Sequence, residues 1–252
     1  MKKKLQSIIN KLYFLSTLGG IFLIWQFLSY SSIIPPFLLP SPAKVIQALI
    51  LDFPLLMEHS KITLIEGLLG LFIGIAIGFC TAVFMDHFHK LYQAFYPIII
   101  ITQTIPTIAI APLLVLWLGY GIAPKITLIV IVTFFPIAVG LLEGFQSADG
   151  DTLNLLRSMG ANHVQIFWHV KFPGALGRFF AGLKISVSYS IVGAVISEWL
   201  GGYGGLGVYM TRVRKSYAFD KMFAVIFLIS ALSLLLMYGV KKLEKICMPW
   251  NA

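Results

Sequence analysis

Long stretches without a single ionisable side chain constrain this chain more than any other feature of its sequence. Five such stretches contain no Asp, Glu, Lys, Arg or His, at residues 12–43, 67–85, 91–124, 126–142 and 222–240. A hydrocarbon core of about 30 Å is crossed by a helix of about 20 apolar residues. One such stretch could be a buried helix of a soluble protein, but five predict a chain that crosses a membrane repeatedly.

The amino-acid composition supports the same interpretation. Charged residues make up 12% of the 252, against about 25% in soluble domains, which leaves too little polar surface to cover a soluble globule. The net charge of +9 is explained by basic flanks that face cytoplasm and anionic lipid, and not by nucleic-acid binding. We therefore predict an all-α integral membrane protein of about six transmembrane helices.

The spans and their orientation follow from the apolar stretches and the basic residues. The predicted spans lie at about 12–30, 62–85, 93–118, 125–142, 178–197 and 222–241. The third is interrupted by Pro97, Pro106 and Pro112, which predicts a kinked helix. With both termini in the cytoplasm, the inner segments carry more Lys and Arg than the outer ones, as the positive-inside rule expects. Gly67, Gly70, Gly74 and Gly78 give the second span a face for close helix packing.

The longest polar segment between spans has a distinct pattern. Residues 154–161 predict a short helix with an apolar side that ends at Gly160, and residues 162–172 predict a second one that is stopped by Pro173. In the second helix Val164, Phe167 and Val170 recur at every third position. This pattern predicts a rigid elbow of two amphipathic helices in the cytoplasm, suited to docking into a groove of a soluble partner.

This elbow resembles the cytoplasmic coupling motif of ATP-binding-cassette importer permeases. That motif reads Glu-Ala-Ala, three residues, Gly, nine residues, Ile-x-Leu-Pro. Gly160, Val170, Phe172 and Pro173 stand at the matching positions, whereas residues 154–156 are Asn-Leu-Leu and lack the glutamate. Residues 39–42, 112–119, 134–136 and 193–201 resemble the branch for nitrate, sulfonates, taurine and thiamine-pyrimidine precursors. Residues 105–109 and 189–202 look most like its thiamine-precursor permeases.

The resemblance implies a fold, partners and a location. The fold would be that of a type I importer permease, with residues 1–252 as a single transmembrane domain and a coupling loop at about 144–174. The partners would be ABC ATPase subunits, an external solute-binding protein and a second copy of the chain, in a bacterial inner membrane. The residues that would contact the ATPase are Arg157, Ser158, Met159, Gly160, Ala161, Asn162, Val164, Phe167 and Pro173.

The sequence offers no enzymatic or nucleotide-binding motif of its own. No Gly-x4-Gly-Lys-Ser/Thr occurs, so ATP and Mg²⁺ are expected on the partner ATPase and no cofactor on this chain. Cys80 and Cys247 lack metal-ligand spacing, and the pair His87 and His89 is better interpreted as a solvated turn. A membrane-embedded enzyme, or a passive channel or secondary transporter, would be the alternatives from other classes.

The solute pathway is predicted from polar and aromatic residues within the spans. The candidates are Gln103, Thr104, Tyr189, Ser190 and Glu198. Glu198 could equally be a hydrogen-bonded residue at the outer membrane surface. Because the spans show no acidic or basic cluster, we expect a small neutral or weakly charged heteroaromatic solute, with a thiamine pyrimidine precursor preferred over a sulfonate, taurine or nitrate.

Overall fold

The computed structural model describes residues 2–31, 34–35 and 37–251, and these residues form helices and no strand. The long helices are α1 (Lys2–Tyr30), α3 (Phe53–His87), α6 (Ile122–Gln146), α9 (Phe172–Glu198) and α11 (Phe219–Cys247). The shorter ones are α2 (Pro42–Leu51), α4 (His89–Thr102), α5 (Thr107–Leu118), α7 (Gly150–Ser158), α8 (His163–Ile166) and α10 (Leu206–Lys215). The all-α prediction is confirmed. Met1 and Ala252, the two ends predicted to be cytoplasmic, lie outside the described residues.

Several helices are long and apolar enough to cross a membrane. Four segments meet that condition alone, namely α3, α6, the helical run His163–Glu198, and α11. The pair α4 and α5 adds a fifth if it counts as one broken span. The described apolar part of α1 is Leu15–Tyr30, which is shorter than the other four. Among the described residues the structure thus gives four or five spans, and the predicted first span at 12–30 stays a prediction.

The third predicted span is broken and not merely kinked. The axes of α4 and α5 are bent by 100°, and the break falls at residues 103–106, just before α5. Pro97 and Pro112 lie inside the two helices without interrupting them. Pro106 has extended backbone angles at the start of α5, and its ring disfavours a helical conformation at Ile105.

By contacts between residues, the described chain divides into two compact units, of which one comprises residues 1–58 and 209–228. In this unit the ring of Trp25 packs against Phe223 and Phe227 at centroid distances of 5.9 and 5.7 Å. Asp52 accepts a hydrogen bond from the Tyr209 hydroxyl. Burial and this carboxylate both raise the pKa of Tyr209 above its ordinary value, because each disfavours the phenolate.

The other unit comprises residues 59–208 and 229–252, and its centre is the packing of α6 against α9. A Cβ on Gly144 would lie 2.5 Å from the Cβ of Ala175, so the two backbones approach more closely than larger residues allow. The predicted glycine face of α3 is used in the same way. A Cβ on Gly70 would lie 2.5 Å from the Cβ of Ile129 in α6. This face therefore packs within one chain.

Candidate functional site

The first arm of the elbow is a short helix with well-formed ends. The Asp149 carboxylate accepts hydrogen bonds from the Thr152 hydroxyl at 2.7 Å and the Thr152 backbone N–H at 3.0 Å. These bonds hold the pKa of Asp149 below its ordinary value. At the other end of α7, the Ala161 N–H reaches back to the Leu156 carbonyl at 3.0 Å around Gly160, whose φ is +87°. This left-handed turn favours glycine because it lacks a Cβ.

The second arm of the elbow begins with a well-formed helix cap. The Asn162 side chain accepts from the Gln165 N–H, and the Gln165 side chain accepts from the Asn162 N–H, both at 2.8 Å. This reciprocal pair satisfies two amides that the start of α8 would otherwise leave without a partner. The glycine turn and the cap together fix the angle between the two arms.

The predicted stop at Pro173 is wrong. The helix runs from His163 to Glu198, through a π-helical turn at Phe167–Lys171 that joins α8 to α9. Pro173 lies in the first turn of α9. The Phe172 N–H bonds to the Phe167 carbonyl, five residues back, and such a widened turn accommodates the proline, which has no N–H to donate. The fifth predicted span, at about 178–197, is therefore continuous with the second arm of the elbow.

The elbow presents several apolar side chains on its surface. Exposed apolar side chains on its two arms are Leu155, Met159, Val164 and Trp168, at 62%, 75%, 64% and 55% exposure; we call these four residues the elbow patch. Phe167 is half-buried and packs inward, with its ring centroid 5.3 Å from that of Phe145. The three-residue period had predicted Phe167 on the docking face and missed Trp168, which lies four residues after Val164 and shares its face of the helix.

The remaining predicted coupling residues lie on α7 and at the bend. The Arg157 guanidinium donates to the Asn154 side chain at 3.3 Å, and the Ser158 hydroxyl donates to the Asn154 carbonyl at 2.9 Å. Lys171 ties the second arm to the end of α3 through the Asp86 carboxylate, at 2.7 and 2.9 Å. The elbow is thus held to the helices that precede and follow it.

Two basic residues of α9 form ion pairs with acidic residues of other helices. Arg178 lies 3.2 Å from the Glu143 carboxylate, and Lys184 lies 2.7 Å from that of Glu244. The pair of Lys184 joins α9 to α11, and both of its side chains are about two-thirds buried or more. The counter-charges of Arg178 and Lys184 therefore come from two other helices, α6 and α11.

Three of the five predicted pathway residues line one cavity. This cavity of about 380 Å³ lies at the break between α4 and α5 and is bounded by α6 and α9. Gln103, Thr104 and Tyr189 line it together with Phe135, and no charged side chain is among its described lining residues. Tyr189 is half exposed. The break in the chain therefore brings polar groups and two aromatic rings to one small space.

The other two predicted pathway residues lie elsewhere. Ser190 is fully buried and its hydroxyl donates to the Val187 carbonyl at 2.8 Å. Glu198 is 1% exposed and does not line the cavity. Its carboxylate accepts from the Thr63 hydroxyl at 2.7 Å and from the Gly207 N–H at 2.6 Å. Of the two interpretations of Glu198, the structure favours the hydrogen-bonded one.

Glu198 belongs to a group of side chains that hold the glycine-rich segment 201–207. The Gly205 N–H donates to His59 Nδ1 at 3.0 Å, and the Leu206 N–H donates to the Thr63 hydroxyl at 2.9 Å. Together with the Gly207 N–H, three consecutive backbone amides at the start of α10 therefore donate hydrogen bonds to side chains. A carboxylate at this position also interacts favourably with the positive end of the α10 dipole. A Cβ on Gly207 would lie 3.0 Å from the Cβ of Glu198.

A buried ion pair lies beside this anchor. The Lys125 ammonium is 2.6 Å from the Glu66 carboxylate, and the two residues are 7% and 5% exposed. The expectation that the spans carry no acidic or basic cluster is therefore wrong. Glu66, Lys125 and Glu198 are widely separated in the sequence, and each lies next to a long uncharged stretch. Sequence spacing gave no sign that they meet.

Long apolar helices, one pair of them broken beside a small cavity, define a membrane protein with a candidate site for a small solute. The chain belongs to the family of binding-protein-dependent transport system inner membrane components, whose model matches residues 70–245. It is a multi-pass permease subunit, and ATP hydrolysis takes place on a separate partner.

Individual relatives agree with this assignment. The formylaminopyrimidine transport permease protein ThiX of Halalkalibacterium halodurans is 36% identical over 252 residues, which cover 100% of this chain and 99% of that protein. The taurine transport system permease protein TauC of Escherichia coli is 28% identical over 94% of this chain and 89% of that protein. An inward-facing structure of the MetNI methionine ABC transporter matches with a TM-score of 0.68 and 21% identity, covering 77% of this chain and 97% of the matched chain. The last likeness shows the fold.

Proposed function

We propose that this permease imports a pyrimidine precursor of thiamine of the formylaminopyrimidine class. The observation that carries the proposal is the similarity to ThiX, at 36% identity along the whole of both chains. The similarity to TauC is lower, at 28%. We therefore expect the residues that line the cavity to favour a ring-shaped solute.

The chemistry of the cavity supports an uncharged aromatic solute. Its volume of about 380 Å³ lies within the range of small-molecule sites. Tyr189 and Phe135 offer ring faces for stacking, while the Gln103 amide and the Thr104 hydroxyl offer donors and acceptors for ring nitrogens and an amino group. Because no charged side chain lines the described cavity, a strongly charged solute would lack a compensating partner there.

A sulfonate is the second candidate, and one feature of α5 favours it. The amino end of this helix lies at the cavity, and no side chain caps its first amides. Such an end can bind an anion through its N–H groups and its dipole. Taurine or another sulfonate could therefore be held without a basic side chain.

Changing Tyr189 separates the two candidates. In proteoliposomes that contain the complete transporter and its binding protein, Tyr189→Ala should lower uptake of a formylaminopyrimidine about tenfold, which corresponds to ~1.4 kcal/mol, because a stacking surface is lost. Ser190→Ala is the matched control, since its hydroxyl is buried one residue away and does not line the cavity. We expect this variant to transport at the wild-type rate.

Two outcomes would contradict the solute assignment. Uptake of taurine with no uptake of the pyrimidine would replace it with the sulfonate candidate and leave the permease assignment intact. Equal uptake by Tyr189→Ala and Ser190→Ala would show that the cavity at the α4–α5 break does not hold the solute.

We further propose that the elbow patch docks onto the ATPase. Its four side chains are apolar and exposed on a segment that is otherwise polar, and the glycine turn and the Asn162 cap hold its two arms in one orientation. Closure of the ATPase on ATP would move the elbow, and Lys171 with α9 would transmit that movement to the helices around the cavity. This assignment requires the elbow to face the cytoplasm, in agreement with the bias of basic residues, and with six spans both chain termini would face the cytoplasm as well.

The permease is proposed to work as a pair of identical chains. The glycine face of α3 does not support pairing, since it packs against α6 and α9 within one chain. The support comes from the cavity, which is open to the surroundings of the single chain and would be closed by a second copy. Native mass spectrometry of the purified transporter should find two copies of this chain with two ATPase subunits. One copy beside a different permease would contradict the proposal.

A further inference from the structure

The group around Glu66 contains an oxygen that the ion pair with Lys125 leaves unused. Glu66 Oε1 contacts the Lys125 ammonium at 2.6 Å, whereas Glu66 Oε2 is buried and receives no hydrogen bond from any described residue. Thr63, one helical turn before Glu66 on α3, donates to Glu198 Oε1 at 2.7 Å, so the carboxyl groups of Glu66 and Glu198 lie near the same face of α3. Two buried carboxyl groups are therefore neighbours, and one oxygen of Glu66 lacks a donor.

The charges of this group do not balance if both carboxyl groups are ionised. Lys125 supplies one positive charge against two negative ones. His59 adds none, because its Nδ1 accepts the Gly205 N–H and a doubly protonated ring has no acceptor. Thr63 and the amides of α10 contribute only dipoles. An uncompensated buried charge is strongly destabilising, and two neighbouring carboxylates add their mutual repulsion.

We propose that Glu66 and Glu198 together bind one proton, held between Glu66 Oε2 and the Glu198 carboxyl group. The proton supplies the donor that Glu66 Oε2 lacks, and the group is left with one negative charge beside the ammonium of Lys125. The pair is then a proton-binding site formed by α3 and α9, with its counter-charge on α6. This site is separate from the solute cavity and does not depend on which solute is carried.

The proton also stabilises the start of α10. Glu198 binds the Gly207 N–H, and Thr63 bridges the Glu198 carboxyl group and the Leu206 N–H. With the proton removed, repulsion from Glu66 acts on the residue that holds these amides. The glycine-rich segment 201–207 should therefore be less firmly held when the site is deprotonated.

Infrared spectroscopy of the full transporter tests the proposal directly. At about pH 7 the wild type should show the C=O stretching band of a buried protonated carboxyl group, which shifts in D₂O. The band should be lost in Glu66→Gln and in Glu198→Gln. Glu143→Gln is the matched control, because Glu143 is half exposed and paired with Arg178, and it should keep the band. Absence of the band from the wild type, or its survival in both Glu66→Gln and Glu198→Gln, would overturn the proposal.

The pH dependence of stability gives a second readout. The native state would bind a proton that the unfolded chain releases above about pH 5, so stability should fall as the pH rises through the titration of the pair. The melting temperature of the wild type in detergent should therefore decrease as the pH is raised above neutrality. In Glu66→Gln, whose amide donates permanently, this decrease should be smaller. An equal decrease in both proteins would contradict the shared proton.

Discussion

Replacing Met159 with aspartate is expected to abolish solute-stimulated ATP hydrolysis and uptake while the chain still folds and inserts. Met159 is 75% exposed at the end of α7 and lies in the centre of the elbow patch. An exposed residue can accept a charge without loss of packing, whereas a desolvated carboxylate in an apolar contact with the ATPase has no partner and costs several kcal/mol. We expect at least a hundredfold loss of coupled hydrolysis, equivalent to about 2.7 kcal/mol.

The matched control is Ile246→Asp. Ile246 is 73% exposed near the end of α11, which lies on the same predicted side of the membrane but outside the elbow patch. This variant should hydrolyse ATP and transport solute like the wild type. Hydrolysis should be measured in reconstituted transporter with saturating binding protein and solute, and co-purification of the ATPase should be quantified. Full coupled activity of Met159→Asp would contradict the docking role of the patch.

Of the substitutions proposed for this protein, replacing Lys125 should cause the largest loss of folding stability. Lys125 is 7% exposed and neutralises a group with two carboxyl residues, Glu66 and Glu198. Breaking a buried pair from one side typically costs about 3–5 kcal/mol, because the other charge is left without compensation. We therefore expect Lys125→Met, purified in detergent, to unfold at a markedly lower temperature or at a lower denaturant concentration than the wild type.

Removing both carboxyl groups as well should restore most of the loss. In Lys125→Met with Glu66→Gln and Glu198→Gln, no ionisable carboxyl group is left without a counter-charge, so stability should return towards the wild-type value. Arg178→Met serves as the comparison, since Arg178 and Glu143 form a half-exposed pair whose loss is expected to cost about 0–1 kcal/mol. A triple variant as unstable as Lys125→Met alone would show that charge compensation is not the role of Lys125.

Local patterns predicted the features that depend on neighbouring residues in the chain. The uncharged stretches predicted the apolar helices, because the length of a span is a local property of the sequence. The glycine turn of the elbow was also visible, since Gly160 separates two amphipathic segments. In the same way, the proline and polar residues at 103–106 indicated a disturbance of the helix near the cavity, though not a bend of 100°.

The orientation of side chains within the second arm was not predictable from its period. Trp168 lies four residues after Val164 and shares its exposed face, whereas Phe167 turns inward, with its ring 5.3 Å from that of Phe145 in α6. The inward side of the arm is therefore set by a contact with another helix, which a local period does not reveal.

The sequence by itself determined the class of protein, its helical content and the elbow, because each follows from short-range composition or spacing. Only the tertiary structure decided that Gln103 and Tyr189 share a cavity while Glu198 does not. It alone brought Glu66, Lys125 and Glu198 together. These residues lie on three helices, and their separation along the chain carries no record of the helix packing that places their charges in contact.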